Sequence, residues 1–350
     1  MDGMTVKLIP SAEGSNAFMQ RGRRLERVPL AGGTDAPGLI LEGSDPARLE
    51  KLVDRGYVSL LEADSADFLQ HRELVGRLTR CMGTAAVRAA FAGEVGRTVT
   101  TLQKQSRRGN HDTATSSERP GATVKLLLAS LRDQRRDVVE GAATLIRGMD
   151  RTLLAGMTGI IRSEPTGEAL RQFRRIIARY AERWQTPEYL SLVVLELASN
   201  LQVQTMQQFA RRTGVSTEKI RNLYQNPAVR DEIRRRMERQ GETRAITWAI
   251  AGHRGFGSRN SELTVTMAGS GMPMRQFTSE VQGMQRVEVG ERSLQQFYTG
   301  LNDSDFNLDL GLYYISYLEE LCHKAGIRFT TRANEALQTG EISVSLRLTL

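Results

Sequence analysis

Cysteine and histidine are scarce in this chain of 350 residues, and their scarcity argues against two kinds of site. Cys81 and Cys322 lie far apart, which excludes a disulfide framework and predicts buried free thiols in a reducing compartment. The four histidines are scattered and no CxxC pair accompanies them, so a zinc site is not expected. Long apolar runs are missing too, since none approaches the ~20 residues of a membrane helix. The first residues do not resemble a signal peptide, so we expect a cytoplasmic protein that does not enter a membrane.

The remaining composition is that of a globular protein with a basic balance. Apolar residues make up 40% and charged residues 25%, and the length suits two or three domains. The net charge is +8 and most of the positive charge is arginine. Such a balance permits a nucleic-acid partner but does not require one.

Breaks in periodicity and composition divide the chain into segments of different character. Short β-like runs separated by glycine and proline turns occupy the beginning, and a polar stretch rich in helix breakers follows residue 104. The expected organisation is a small α/β module at 1–66, a helical segment at 67–103, a linker at 104–122, a helical hairpin at 123–186 and an α+β domain at 187–350 with a helical insertion at about 205–242.

The hairpin is predicted from apolar residues at three- and four-residue steps. They run from Val124 through Met157 to Ile160, break at Ser163–Gly167, and resume from Leu170 to Trp184. Two long helices joined by a short loop cannot bury this stripe alone. They must pack on their own domain or pair with a second hairpin in a homodimer through helices 124–184, and the sequence leaves both open.

The last segment combines a helix, strands and glycine-containing turns. Glu196 and Asn200 lie four residues apart and therefore share one face of a helix that starts after Pro187. Two strands follow at 244–251 and 262–267, and the second leads into Gly269 and Gly271. A helix at 313–325 and an alternating hairpin complete the chain.

This order resembles the ATP-binding domain of histidine kinases, gyrases and related ATPases, the GHKL superfamily. Glu196 and Asn200 match the Glu-x-x-x-Asn of its Asn-box helix, and Val265–Pro273 resembles its Val-x-Asp-Asn-Gly-x-Gly-Ile-Pro box. Phe297-Tyr-Thr resembles the start of its ATP lid, and Asp309-Leu-Gly-Leu its second glycine box. The resemblance covers roughly residues 188–350 and implies an α/β sandwich.

The resemblance also implies a ligand and a role for each matched residue. Asn200 would hold Mg²⁺ on the phosphates of ATP, since an amide oxygen is a neutral ligand for a hard cation, and Glu196 would orient or deprotonate a nucleophile. The adenine would be read at the position of Met267. The backbone would wrap the phosphates at three glycines, which are Gly269, Gly271 and Gly311.

Several of these positions depart from the family pattern. Met267 replaces the adenine-reading Asp, and Asp309 stands where a phosphate-facing glycine belongs. Residues 112–252 contain no histidine that could accept a phosphoryl group. The sequence therefore predicts a regulatory signal-transduction protein on a degenerate domain, which acts through protein partners and binds ATP weakly or not at all. An active ATPase or kinase with a divergent pocket is the alternative.

A second alternative comes from the insertion at 207–224, which resembles a helix-turn-helix around Gly214 and Ser216. A DNA-binding regulator of this kind would place four side chains in the major groove, namely Thr217, Lys219, Arg221 and Asn222. The following helix mixes arginines with Asp231, Glu232 and Glu238, a pattern that favours a solvated helical hairpin over a DNA-binding unit.

Overall fold

A computed structural model of the chain shows two compact units. The sheet unit comprises Met1–Gly83, Thr186–Ala251 and Glu262–Thr349, and the helical unit is built on Thr84–Gln185. The structure describes residues 4–30, 35–42, 46–108, 120–131, 133–164, 166–216, 226–251, 261–270, 310–336 and 341–350.

An eight-stranded sheet organises the sheet unit, and every neighbouring pair of strands is antiparallel. Its strands are β1 (Met4–Pro10), β2 (Glu26–Pro29), β3 (Asp35–Glu42), β4 (Val58–Ser65), β5 (Arg244–Ala251), β6 (Glu262–Ser270), β7 (Arg328–Ala336) and β8 (Glu341–Thr349). Their order across the sheet is β2-β3-β1-β4-β5-β6-β8-β7. The predicted α+β class is confirmed, as are the strands at 244–251 and 262–267 and the closing hairpin.

The first four strands and two helices form a split β-α-β arrangement. Helix α1 (Ala12–Gln20) follows β1, and helix α2 (Pro46–Asp54) follows β3. Ser11 begins α1, since its Oγ accepts a hydrogen bond from the N–H of Gly14 at 3.0 Å and donates one to the carbonyl of Gly56 at 2.7 Å. The β-like runs at 5–9, 38–42 and 57–61 and the helical spacing at 45–55 predict β1, β3, β4 and α2. The sequence does not predict α1 and β2, which are short and weakly patterned.

Pairing of β4 with β5 joins the beginning of the chain to its second half. Ala63 lies opposite Ile246 and Leu61 opposite Trp248. The structure differs here from the predicted division into a module at 1–66 and a separate domain at 187–350. Alternation shows which side of a strand is buried but not which strand lies beside it, so this long-range pairing is invisible in the sequence.

Helices cover one face of the sheet. They are the first part of α3 (Arg72–Arg108), α8 (Thr186–Arg212) and α10 (Leu310–Lys324), together with α1 and α2, while α9 (Pro227–Arg239) packs on α8. A short 3₁₀ helix, Phe68–His71, precedes α3. The covered face is apolar, with Leu8, Leu61, Trp248, Val265 and Leu346 all fully buried. The opposite face is more polar, with Lys7, Glu62, Thr247 and Thr266, although Ile9, Leu60 and Ile40 also lie on it.

The helical unit contains four helices besides the rest of α3. They are α4 (Pro120–Ala129), α5 (Arg136–Arg147), α6 (Arg151–Ser163) and α7 (Glu168–Arg183). The predicted hairpin of two long helices at 123–186 is therefore replaced by a bundle of shorter ones. Helix α4 ends before Arg135. Helix α6 begins after Asp150, whose carboxylate accepts a hydrogen bond from the N–H of Thr152 at 2.8 Å.

The apolar stripe of this segment is buried within the helical unit itself. Leu145, Met157, Phe173, Ile177 and Tyr180 all belong to one cluster of buried side chains. Of the two arrangements that the sequence left open, packing within one chain is therefore the one observed. The stripe therefore needs no second copy of the chain to bury it, and a homodimer through helices 124–184 stays a prediction.

Candidate functional site

Helix α8 provides the frame of the predicted nucleotide site. Tyr189, Glu196 and Asn200 lie within about 40° of one another around its axis, because each residue advances the helix by about 100°. The ring of Tyr189 lies 5.4 Å from that of Tyr317 on α10. The face of α8 that carries the two predicted residues is therefore the one that α10 approaches.

Glu196, predicted as the catalytic carboxylate, is paired with a cation. Its Oε1 lies 3.4 Å from Nη2 of Arg72 at the start of α3. Arg80, eight residues later on α3, pairs at 3.1 Å with Glu188, eight residues earlier on α8. The two ion pairs together show that α3 and α8 run antiparallel side by side. Gly83 permits the close approach, since a Cβ there would lie 2.8 Å from Cβ of Pro187.

Met267, in the predicted adenine-reading position, is a core residue. Its side chain is 1% exposed, and its cross-strand neighbours are Ile246 on β5 and Val344 on β8. Three apolar side chains in a row across the covered face form packing and offer no hydrogen-bond acceptor to a base.

The three predicted glycines lie in different settings. Gly269 is within β6 and pairs with Ile342, so the strand continues past the point where a flexible turn was expected. Gly311 is the second residue of α10, which begins three residues earlier than predicted. Gly271 lies outside the described residues. The structure brings together the elements of the predicted site, because α8 packs on both β6 and α10.

The predicted DNA-contacting residues, Thr217, Lys219, Arg221 and Asn222, also lie outside the described residues. What flanks them is a turn after α8, in which Gly214 has φ +75° and the N–H of Val215 bonds to the carbonyl of Ala210 at 2.9 Å. Beyond them, α9 packs on α8 through Ile233 and Met237.

The charges of α9 are largely paired within the helix. Arg234 lies 2.9 Å from Glu238, and Arg236 lies 2.6 Å from Glu232. Paired arginines are less available for phosphate contacts. This arrangement agrees with the solvated hairpin that the charge pattern favours.

The sequence does not predict a group of polar residues that lies at the end of β4. The amide of Gln202, 2% exposed, donates a 2.6 Å hydrogen bond to the carbonyl of Ala66, and Ser65 Oγ accepts one from the N–H of Asp67 at 3.0 Å. Burial lowers the pKa of nearby His71, helped by Arg234 and opposed by Asp67. Gln202 lies about 160° from Asn200 around α8, so this group is separate from the predicted site. Its members come from distant segments, and no local pattern could have joined them.

The described part of the chain shows neither a metal-binding cluster nor a membrane-spanning helix. Those residues hold no group of three or more His, Cys, Asp or Glu side chains arranged to bind a metal ion. None of their helices combines the length and apolar character that crossing a membrane requires.

A family model described as a family of unknown function, DUF8084, matches residues 3–115 and 129–350. The chain belongs to DUF8084. This DUF8084 chain is also similar to an uncharacterized protein of Treponema pallidum (strain Nichols), with 20% identity over 98% of this chain and 96% of that protein. No solved structure matches it.

Proposed function

We propose that this protein is a cytoplasmic regulator in signal transduction, built on a degenerate ATP-binding domain of the histidine-kinase type, and that it acts through protein contacts. Support comes from the order α8, β5, β6, α10, β7 and β8, which is the order of elements that the resemblance implies. The single observation that best supports a loss of ATPase or kinase activity is the burial of Met267 in the apolar row of β6.

The Met267 position bears directly on nucleotide affinity. The family's carboxylate would accept a charge-assisted hydrogen bond from the adenine amino group, and such bonds contribute about 1.5–3 kcal/mol. A thioether surrounded by Ile246 and Val344 cannot replace that bond. ATP binding is therefore expected to be weaker by about ten- to a hundredfold than in a domain that retains the carboxylate.

Glu196 supports the same conclusion. Its ion pair with Arg72 engages an oxygen that a base would need to direct at a nucleophile. The absence of histidine from residues 112–252 removes the usual phosphoryl acceptor from the helices that precede this domain. A role through protein contacts needs neither group.

Calorimetric titration of the full chain with Mg-ATP tests this proposal. We expect no saturable heat at micromolar protein, and no stable phosphoprotein after incubation with radiolabelled ATP. Asn200→Ala provides the diagnostic variant, and Gln208→Ala, an exposed change on the same helix, is its matched control. Micromolar binding that Asn200→Ala abolishes and Gln208→Ala preserves would establish the active-enzyme alternative instead.

A further inference from the structure

The two edges of the sheet differ in their protection against further pairing. β2 is four residues long and ends in Pro29, which has no N–H. β7 has nine residues and no proline, and among the described strands it pairs with β8 alone. At ~3.3 Å per residue, the free side of β7 extends over about 30 Å. Short, proline-containing edges discourage strand addition, so among the described strands β7 is the edge open to another strand.

Two arginines mark the polar face of β7. Arg328 and Arg332 are exposed and lie four residues apart, on the same side of the strand. Neither forms an ion pair within the described ranges of the chain. Arg347 on the neighbouring strand does form one, with Nε 3.0 Å from Oε1 of Glu262. The edge thus presents two positive charges that no described carboxylate pairs with, beside backbone groups that no described strand pairs with.

The other face of β7 continues the core. Phe329 is buried and Thr331 is half-buried, and α10 packs over this strand. Gly326, with φ +63°, makes the tight turn that brings α10 back onto β7. A strand added at this edge would therefore place alternate side chains beside an existing apolar row.

We propose that β7 is the docking edge for an extended, acidic segment of another protein. Main-chain hydrogen bonds would add that segment as a ninth strand, as in other cases of strand addition. Carboxylates four residues apart would face Arg328 and Arg332, and apolar side chains at intervening positions would extend the row of Phe329. This inference goes beyond the proposed function and does not depend on it.

A second copy of the chain fits this edge poorly. When two β7 strands pair antiparallel with their helices on the same side, the register that uses the whole strand places Arg332 opposite Arg332. Like charges directly opposite each other are destabilising. The two registers shifted by two residues set Arg332 opposite Thr330 or opposite Asn334, and both leave the Arg332 side chains of the two copies on the diagonal. An acidic partner removes this repulsion.

A labelled peptide tests the charge complementarity. The probe has nine residues, with glutamate at the first, fifth and ninth positions, threonine at the third and seventh, and valine between. We expect its fluorescence anisotropy to rise with full-length protein, and the affinity to fall as salt increases. Reversing both charges, Arg328→Glu with Arg332→Glu, should weaken binding by about tenfold or more. The matched control is Arg235→Glu with Arg239→Glu, which alters two exposed arginines at the same spacing on α9 and should change nothing.

Backbone pairing is tested by two N-methylated forms of the same peptide. Methyl groups on alternate amides in one phase face β7 and should abolish binding, whereas the opposite phase should preserve it. Absence of binding, equal loss in the arginine pair and its control, or equal behaviour of the two methylated peptides would each overturn the proposal. Self-association of the protein that the peptide competes away would overturn it as well, since the occupant would then be a second copy. Circular dichroism of each variant verifies that the fold is retained.

Discussion

The indole Nε1 of Trp248 on β5 donates a 2.9 Å hydrogen bond to the hydroxyl of Thr79 on α3, and both side chains are fully buried. That hydroxyl in turn donates to the carbonyl of Val75 at 2.8 Å. Trp248 lies opposite Leu61 of β4 and Val265 of β6, in the middle of the sheet. One hydroxyl therefore links the first part of α3 to the middle of the sheet.

Thr79→Val removes this hydroxyl with little change in shape. We expect it to lower the free energy of unfolding by about 1–3 kcal/mol, because a buried indole N–H is left without a partner. Urea unfolding followed by tryptophan fluorescence measures the effect. Thr101→Val is the control: its hydroxyl makes a similar bond on α3, to Arg97, but it is exposed and should cost much less. Equal costs for the two variants would contradict the assigned role of Thr79.

Gly14 lies where α1 approaches the chain around Tyr57. A Cβ on Gly14 would lie 2.0 Å from the carbonyl oxygen of Tyr57, and backbone atoms cannot move aside cheaply. Gly14→Ala should therefore destabilise the protein by about 1–3 kcal/mol or more. Gly159→Ala, on α6 with open space around it, should instead stabilise by about 0.4–1 kcal/mol. Thermal unfolding by circular dichroism distinguishes them, and a neutral Gly14→Ala would refute the close contact.

Because of His71, the stability of the sheet unit is expected to fall in mild acid. Burial lowers its pKa, with Arg234 acting in the same direction and Asp67 against it, so the unfolded chain binds the proton more readily than the folded one. Stability is present above the ordinary histidine pKa of 6.5 and declines as the pH falls below it. Urea midpoints measured between neutral and mildly acidic pH should decline less in His71→Gln than in the wild type. Parallel declines would show that other groups control this range.

Because of Tyr180, the stability of the helical unit is expected to fall in alkali. Burial, with Glu94 as the next cause, raises the pKa of its phenol to about 12 from 10.0. The folded chain holds this proton longer than the unfolded one, so stability declines as the pH rises from 10 toward 12. Ultraviolet difference titration should show a tyrosine that ionises near pH 12 and that Tyr180→Phe removes. Ionisation of every tyrosine near the ordinary value would disprove the burial effect.

Local patterns predict most elements of the sheet unit, and the failures have two causes, one local and one long-range. The alternation in Glu262–Met267 and the spacing of Glu196 and Asn200 are properties of neighbouring residues, so they were read correctly as strand and helix. The break at Asp150 was missed, because the apolar steps continue across it and only the side-chain cap ends the periodicity. The pairing of β4 with β5 depends on contacts between segments far apart in the chain, which periodicity does not record.

The candidate site was predictable only as a set of elements. Sequence order placed α8, β6 and α10 in the right succession, and the structure packs α8 against the other two. The ion-pair partner of Glu196 could not be predicted, because Arg72 precedes the residues of the helical unit in sequence and Glu196 follows them. Burial of Met267 follows from its position in the alternation of β6, and it was visible in the strand pattern once the strand was recognised.

The adjacency of β4 and β5 has a consequence for biosynthesis. The ribosome releases Val58–Ser65 long before it makes Arg244–Ala251, and at about 5–20 residues per second the delay is roughly ten to forty seconds. During that interval the nascent chain exposes one side of β4 with nothing yet available to cover it. The edge of β4 that β5 covers in the folded chain therefore waits for its partner until the second segment has been translated.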